Sequence, residues 1–417
     1  MTKLRKSVIG AAALAGAAAA GDPLPPIRSV EIGPHREIRV NGEPFLPIMS
    51  WLQRPNTYSD LRKMGFNAFA GRGSRNADAR AAGGYAVTDF DDLAAGAIGH
   101  PHLLAWIHPD EPDMPQRQDQ MATPDAIERG AAAERFQPRL PPADVEARYR
   151  RIVAADRSRP VFVTFTGHFF SRTRTHFSAE RQAELYPAFV RSADVIGFDI
   201  YPIYGSGTPG RLNHPAEATR ELIALGGGRK PVYAWIETCK GSRWMTYEKQ
   251  PDVLPIHTRF QVWSVLIEGA TGIGYFTHAW RPTFREFAPT DDMRAELTRL
   301  NAQLTRLAPA LLAPPLARPV EITLAGGLRC RIKATEHAGH LYLFAQNADL
   351  GPNADALKQF DPIAPRAARA TIRVPGLPAG AAIEVVDEGR QLVSEAGAFS
   401  DDFGPLAEHV YRIRADR

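Results

Sequence analysis

Short apolar runs alternate with amphipathic segments from about residue 45 to residue 310. This alternation is typical of strands that each lead into a helix, and therefore of a parallel sheet covered by helices. Eight units favour a closed (β/α)₈ barrel over an open sheet, because closure leaves no unpaired edge strand. The predicted strands are 45–52, 66–72, 85–89, 103–108, 161–166, 195–201, 232–237 and 272–278.

The segments on either side of the predicted barrel, 45–312, have a different pattern. Asn41-Gly42 suits a tight hairpin turn, so residues 21–44 are expected to form a short hairpin segment. Prolines follow residue 312, and the pattern then changes to period two, which predicts an antiparallel β-sandwich over 316–417. Its predicted strands are 320–324, 328–334, 340–347, 369–374, 383–387 and 409–414. The long connection 112–142 follows the fourth barrel strand and is expected to overhang the active face.

The first twenty residues differ in composition from the rest of the chain. Lys3, Arg5 and Lys6 precede a short apolar run that ends in alanines, which predicts a secretory signal peptide and export to the periplasm or the extracellular space. Its removal would lower the basic residues from 50 to 47, against 46 acidic residues. A nearly neutral chain does not favour nucleic acid or an anionic membrane as a partner.

The two cysteines, Cys239 and Cys330, lie in different predicted domains and are expected to be free thiols. No cluster of Cys and His with metal-ligand spacing occurs in the sequence, so no metal and no organic cofactor is expected. The oligomeric state cannot be read from the sequence.

Two predicted barrel strands end in glutamate, Glu111 after the fourth strand and Glu237 after the seventh. Barrel enzymes carry their reacting groups at these strand ends, which would bring both carboxylates into one cleft. Glycosidic bond cleavage needs such a pair, one to protonate the leaving oxygen and one to attack the sugar or activate water. The alternative is that each glutamate is a surface charge or the partner of an arginine.

The chain resembles the clan A retaining glycoside hydrolases, which have a (β/α)₈ barrel and in many members a C-terminal β-sandwich. Three segments carry the resemblance: Asn41 to Phe45, the tryptophan-rich run into Asp110-Glu111-Pro112, and the tail from Asp401 to Ile413. The resemblance implies that Glu111 is the general acid/base and Glu237 the nucleophile. It also implies an oligo- or polysaccharide or another glycoside as substrate.

One residue departs from that pattern, because Asp110 stands where most clan members have an asparagine that binds a sugar hydroxyl. Aspartate accepts a hydrogen bond but cannot donate one, and its charge raises the pKa of a neighbouring carboxyl group. The departure leaves open an unusual sugar, a different acid or reduced activity.

Other strand ends supply candidate substrate contacts. Trp51 and Trp280 could stack on a sugar face, with barrel packing as the alternative for both. Tyr201 could hydrogen-bond Glu237, and Arg72 could lower its pKa. His168 and His278 could bind sugar hydroxyl groups, whereas Asp89 and Asp199 are weaker candidates because aspartates at strand ends often cap the next helix.

These features predict a retaining glycoside hydrolase. The alternatives are a non-catalytic carbohydrate-binding barrel of the cell envelope and an inverting glycosidase, in which the carboxyl groups are farther apart. The sugar and the linkage cannot be read from the sequence.

Overall fold

The structure is a computed structural model that describes residues 22–71, 76–90, 96–117, 136–352, 354 and 358–415. Eight parallel strands form a closed barrel in the order in which they follow along the chain. This confirms the predicted barrel, and each predicted strand overlaps an observed one. The barrel strands are β4 (Ile48–Trp51), β5 (Ala68–Ala70), β6 (Tyr85–Asp89), β7 (Leu103–Ile107), β10 (Val161–Thr166), β11 (Val195–Asp199), β12 (Val232–Glu237) and β13 (Gly272–Phe276).

Amphipathic helices cover the outside of the barrel. Their apolar faces and the outward side chains of the strands form one large buried cluster. A short hairpin, β8 (Pro115–Arg117) with β9 (Phe136–Pro138), flanks the insertion after β7. The helices are α1 (Pro55–Lys63), α2 (Asn76–Ala81), α3 (Pro142–Ala155), α4 (Ala179–Arg191), α5 (His214–Leu225), α6 (Pro255–Ile267) and α7 (Asp291–Leu311).

The barrel interior is filled by two large rings from β12, Tyr233 and Trp235. Neighbouring strands make room for them with glycine: a Cβ at Gly197 would lie 2.2 Å from the Tyr233 ring, and one at Gly274 would lie 2.0 Å from the Trp235 ring. Both rings bond Thr164, whose Oγ1 lies 2.8 Å from the Tyr233 hydroxyl and accepts from Trp235 Nε1 at 3.1 Å. The barrel is therefore a packed core that supports whatever lies at its mouth.

The N-terminal segment forms three short antiparallel strands, β1 (Val30–Ile32), β2 (Ile38–Val40) and β3 (Glu43–Phe45). Asn41 and Gly42 connect β2 to β3 with φ of 56° and 88°, the left-handed conformation that the Asn-Gly pair predicted.

The C-terminal region consists of two antiparallel sheets, as predicted. The sequence missed two of the strands, β19 and β20. The strands of this region are β14 (Glu321–Leu324), β15 (Cys330–His337), β16 (His340–Asn347), β17 (Ala368–Arg373), β18 (Ala382–Val385), β19 (Arg390–Val393), β20 (Ala398–Phe403) and β21 (Glu408–Arg414).

The sandwich packs against the barrel through α6, where Trp263 stacks on Phe344 of β16. Beside this contact, the buried Arg331 pairs with Glu268 at 3.2 Å and donates to Asn213 Oδ1 at 2.6 Å and to Gln346 Oε1 at 2.9 Å. These partners come from both parts of the chain, so the arginine ties the sandwich to the barrel.

Several predictions lie partly or wholly outside the described residues: the signal peptide, Arg72 and much of the insertion after Glu111. A search of the described helices found none long and apolar enough to cross a membrane. Both cysteines are free thiols, Cys239 buried and Cys330 half-buried.

Candidate active site

A cavity of about 330 Å³ opens at the C-terminal ends of the barrel strands. Its wall combines aromatic rings with charged groups, the composition expected of a site for small polar molecules with apolar faces. The aromatic and apolar lining residues are Trp51, Leu52, Met114, Tyr201, Trp235, Trp244, Phe276, His278, Trp280 and Phe284, and the charged ones are Arg54, Asp110, Glu111, Arg139, Asp199, Arg243 and Glu286.

Glu111 lines this cavity. It follows β7 and has a φ of +48°, a conformation that residues other than glycine rarely adopt and that is found preferentially at functional sites. The insertion returns to hold it: Arg139 Nη2 lies 3.2 Å from Glu111 Oε2, and Arg139 Nη1 donates to the Asp110 carbonyl oxygen at 2.8 Å. The strained residue is thus fixed by an ion pair with Arg139, which follows β9.

Two further carboxyl groups surround Glu111. Desolvation together with the charge of Glu111 holds the pKa of Asp199 well above its usual value. Desolvation and the same charge raise the pKa of Asp110 to about 7. The cluster therefore holds protons near neutral pH, as a site for acid catalysis must. Within the described ranges, no group of three His, Cys, Asp or Glu side chains is arranged to hold a metal ion.

The sequence predicts that Glu237 shares a cleft with Glu111, but the Glu237 carboxylate does not line the cavity. The residue is 0% exposed. Its oxygens accept from the backbone N–H groups of Ile203 and Tyr204 at 3.1 and 2.5 Å, and from Gln261 Nε2 of α6 at 3.0 Å. Burial raises its pKa to about 7, although these donors favour the charged form. Glu237 ends β12 and Glu111 follows β7, and only Glu111 lines the cavity.

Tyr201, which was predicted to hydrogen-bond Glu237, does not contact it in this way. Tyr201 lines the cavity, and its ring packs 5.1 Å from that of Phe276, but the donors to Glu237 are the three just described. Burial, and then the charges of Asp199, Asp110 and Glu111, raise the pKa of Tyr201 well above its usual value. Arg72 lies outside the described residues.

Three of the predicted sugar contacts line the cavity, and one does not. Trp51 packs against Trp235 with ring centroids 5.0 Å apart, while Trp280 is 41% exposed and free to meet a ligand. His278 also lines the cavity, and burial lowers its pKa to about 4, so it is neutral at physiological pH. His168 instead lies among His176 and Phe177, away from the cavity lining.

Sequence reasoning missed seven charged or aromatic residues of the cavity. Arg54 follows the first strand, Arg139 lies in the insertion, Phe276 ends the eighth strand, and the others are in the loops after the seventh and eighth strands: Arg243, Trp244, Phe284 and Glu286. Loops have no periodicity that could indicate which side chains point inward. The available signal was the clustering of aromatics with arginine in the Gly-Ser-Arg-Trp and Ala-Trp-Arg segments.

No protein-family model matches the chain, and no curated protein is similar to it in sequence. Among solved structures, the chain is similar to a family 5 glycoside hydrolase from Bacteroides vulgatus, with a TM-score of 0.51 and 11% identity over 93% of this chain and 94% of that one. It is also similar to a family 30 endoxylanase from Clostridium papyrosolvens (TM-score 0.46, 10% identity, 93% and 98% covered). A third is the α-amylase of Geobacillus thermoleovorans (0.49, 10%, 87% and 92%). Identities this low show a common barrel fold and do not identify the reaction.

Proposed function

We propose that the chain is a glycoside hydrolase whose substrate occupies the cavity at the barrel mouth, with Glu111 as the general acid. The observation that carries the proposal is the position of Glu111: it lines an aromatic-rich cavity together with Asp110 and Asp199. Aromatic rings suit the C–H faces of a sugar ring, and Asp110 and Asp199, whose pKa values are raised by burial and by the charge of Glu111, keep protons next to Glu111.

Asp199 assists this step by its proximity. Neighbouring carboxyl groups do not ionise independently, because the charge of one disfavours ionisation of the next. Tyr201 and Asp110 lie beside the pair, and Arg139 offsets the charge that forms when the proton leaves. The cluster thus keeps a proton available to Glu111.

The retaining reaction predicted from the sequence requires Glu237 as nucleophile, with about 5–5.5 Å between the two carboxyl groups. That role stays a proposal, and the contacts of Glu237 do not support it, because its carboxylate already accepts from three buried donors. A cavity-facing carboxylate is available elsewhere. Glu286 lines the cavity after the eighth strand, opposite the fourth in the barrel, and Arg54 Nε lies 3.2 Å from Glu286 Oε2.

This placement favours the inverting reaction, in which Glu286 activates water on the face of the sugar opposite Glu111. The second candidate function is carbohydrate binding without hydrolysis. The burial of Glu237 favours that reading, since it removes one of the two carboxylates on which the predicted enzyme depended.

The test is a panel of aryl glycosides of several sugars, given to the purified protein and to its Glu111→Gln, Glu286→Gln and Glu237→Gln variants. We expect turnover by the wild type, with a loss of at least 100-fold in Glu111→Gln and Glu286→Gln. NMR of the first-formed anomer reports inversion or retention. Unchanged turnover in Glu111→Gln refutes the proposal, and sugar binding without turnover in the wild type supports the binding function instead.

A further inference from the structure

Arg243 lies at the cavity mouth between two exposed tryptophans. Its guanidinium carbon is 5.4 Å from the ring centroids of both Trp244 and Trp280, which are 56% and 41% exposed. The contacts with the ring faces hold the guanidinium by cation–π attraction. They leave its in-plane N–H donors free for a ligand, since a guanidinium presents five donors in a fixed fork.

The charges of the cavity leave this arginine without an acidic partner. Arg139 pairs with Glu111 and Arg54 pairs with Glu286, each at 3.2 Å. In the described part of the chain, no carboxylate lies within salt-bridge distance of Arg243. The cavity therefore contains one cation that is neither neutralised nor used by the acidic cluster.

The loop that carries Arg243 is held in place before any ligand arrives. Gln250 Oε1 accepts from the N–H groups of Gly241 and Ser242 at 3.0 and 2.9 Å, and Gln250 Nε2 donates back to the Ser242 carbonyl at 2.8 Å. Gly241 has a φ of +121°, and a Cβ there would lie 2.6 Å from the Cβ of Ala279 in the next loop. A cation fixed in this way loses little freedom when it binds.

We propose that the ligand is an anionic sugar, carrying a carboxylate or a sulfate group that Arg243 binds with its paired N–H donors. Such bidentate contacts are the strong form of charge-assisted hydrogen bond. The inference rests on the proposed function in that it takes the cavity to be a sugar site. The inference adds that the sugar is negatively charged, which the acidic cluster does not determine.

The test measures binding of free monosaccharides, which cannot be hydrolysed. Isothermal titration compares glucuronate with glucose, galacturonate with galactose, mannuronate with mannose, and N-acetylglucosamine 6-sulfate with N-acetylglucosamine. We expect at least one anionic sugar to bind about 10-fold more tightly than its neutral partner. The uronate and sulfate arms show which of the two groups the site accepts.

The preference for the anionic sugar over its neutral partner should fall about 10-fold in Arg243→Gln, and it should weaken as the salt concentration is raised. The matched control is Arg294→Gln, which removes an arginine that stacks on Phe287 at 5.1 Å outside the cavity, and which should keep the preference. Unfolding curves of both variants verify that each is folded.

The inference is overturned if neutral and anionic sugars bind equally, if the preference survives Arg243→Gln, or if no sugar binds. A preference that depends on Arg243, with no hydrolysis of the matching aryl glycoside, upholds the inference and refutes the proposed catalysis. Hydrolysis of neutral aryl glycosides without any anion preference upholds the catalysis and refutes the inference.

Discussion

Replacing Glu237 separates a structural role from a catalytic one. In Glu237→Ala, the N–H groups of Ile203 and Tyr204 and the Gln261 amide lose their acceptor. A buried polar group without a partner costs about 1–3 kcal/mol, so we expect the free energy of unfolding to fall by about 3–5 kcal/mol. Lost activity in this variant would be uninformative, because loss of structure alone explains it.

Glu237→Gln is the informative variant. The new amide keeps one oxygen for the two backbone N–H groups, and its NH₂ can face Gln261, whose Oε1 is buried without a partner among the described residues. A flip of the Gln261 amide then restores the hydrogen bond, so the free energy of unfolding should change by less than about 1 kcal/mol.

Urea unfolding and turnover of the best aryl glycoside are measured on the same preparations. A structural Glu237 predicts that Glu237→Gln keeps turnover within about 10-fold of the wild type. A nucleophile cannot be replaced by an amide, so a well-folded Glu237→Gln protein with no turnover would refute this reasoning and restore the retaining mechanism.

Three other predictions concern pH, packing and the domain contact. Because burial raises the pKa of Glu237 to about 7, the folded protein holds a proton that the unfolded chain releases near 4.5. The contribution of this proton to stability is lost as pH rises from about 5 to 8 in the wild type. Glu237→Gln lacks this contribution, and urea unfolding at pH 5 and pH 8 measures the difference between the two proteins. Gly274→Ala places a Cβ 2.0 Å from the Trp235 ring and should lower the free energy of unfolding by about 1–3 kcal/mol. The control is Gly380→Ala, where nothing lies within 4 Å of the new Cβ but φ is +80°. This control should show the cost of backbone strain alone. Arg331→Leu leaves Glu268 without one of its two arginines and should cost about 3 kcal/mol, while Arg369→Leu, in the exposed pair with Asp402, should give no measurable change in the same assay.

The barrel could be predicted because each strand is an apolar run, and strand ends are where a barrel exposes its chemistry. Strand ends alone were not sufficient to place Glu237. Along β12 it follows Tyr233 and Trp235, which fill the barrel interior, yet its carboxylate meets amides from a loop 34 residues earlier in the chain. No local pattern encodes the position of such a loop, because its fold depends on the packed barrel beneath it.

The missed strands β19 and β20 have a similar explanation. Asp401 lies inside β20 and is buried, which the sequence pattern does not favour for a strand. It is accommodated because Arg390 of β19 donates to it at 2.7 Å and the Tyr411 hydroxyl donates at 2.9 Å. A strand that contains a buried charged residue can be predicted from sequence only when the distant partners of that charge are known.

The cavity contains an acidic cluster and a cation without an acidic partner, and this difference would orient an anionic sugar. Glu111, Asp110 and Asp199 lie at the ends of the fourth and sixth strands, whereas Arg243 follows the seventh. An anionic sugar that enters with its charge toward the acidic cluster meets carboxyl groups and loses its hydration without gaining a partner. The opposite orientation pairs its charge with Arg243 and leaves its uncharged end toward Glu111. Glu111 would then face the glycosidic oxygen only if the anionic group and the glycosidic bond lie on opposite sides of the sugar ring. The identity of the preferred uronate or sulfate will therefore indicate which bond can be cleaved.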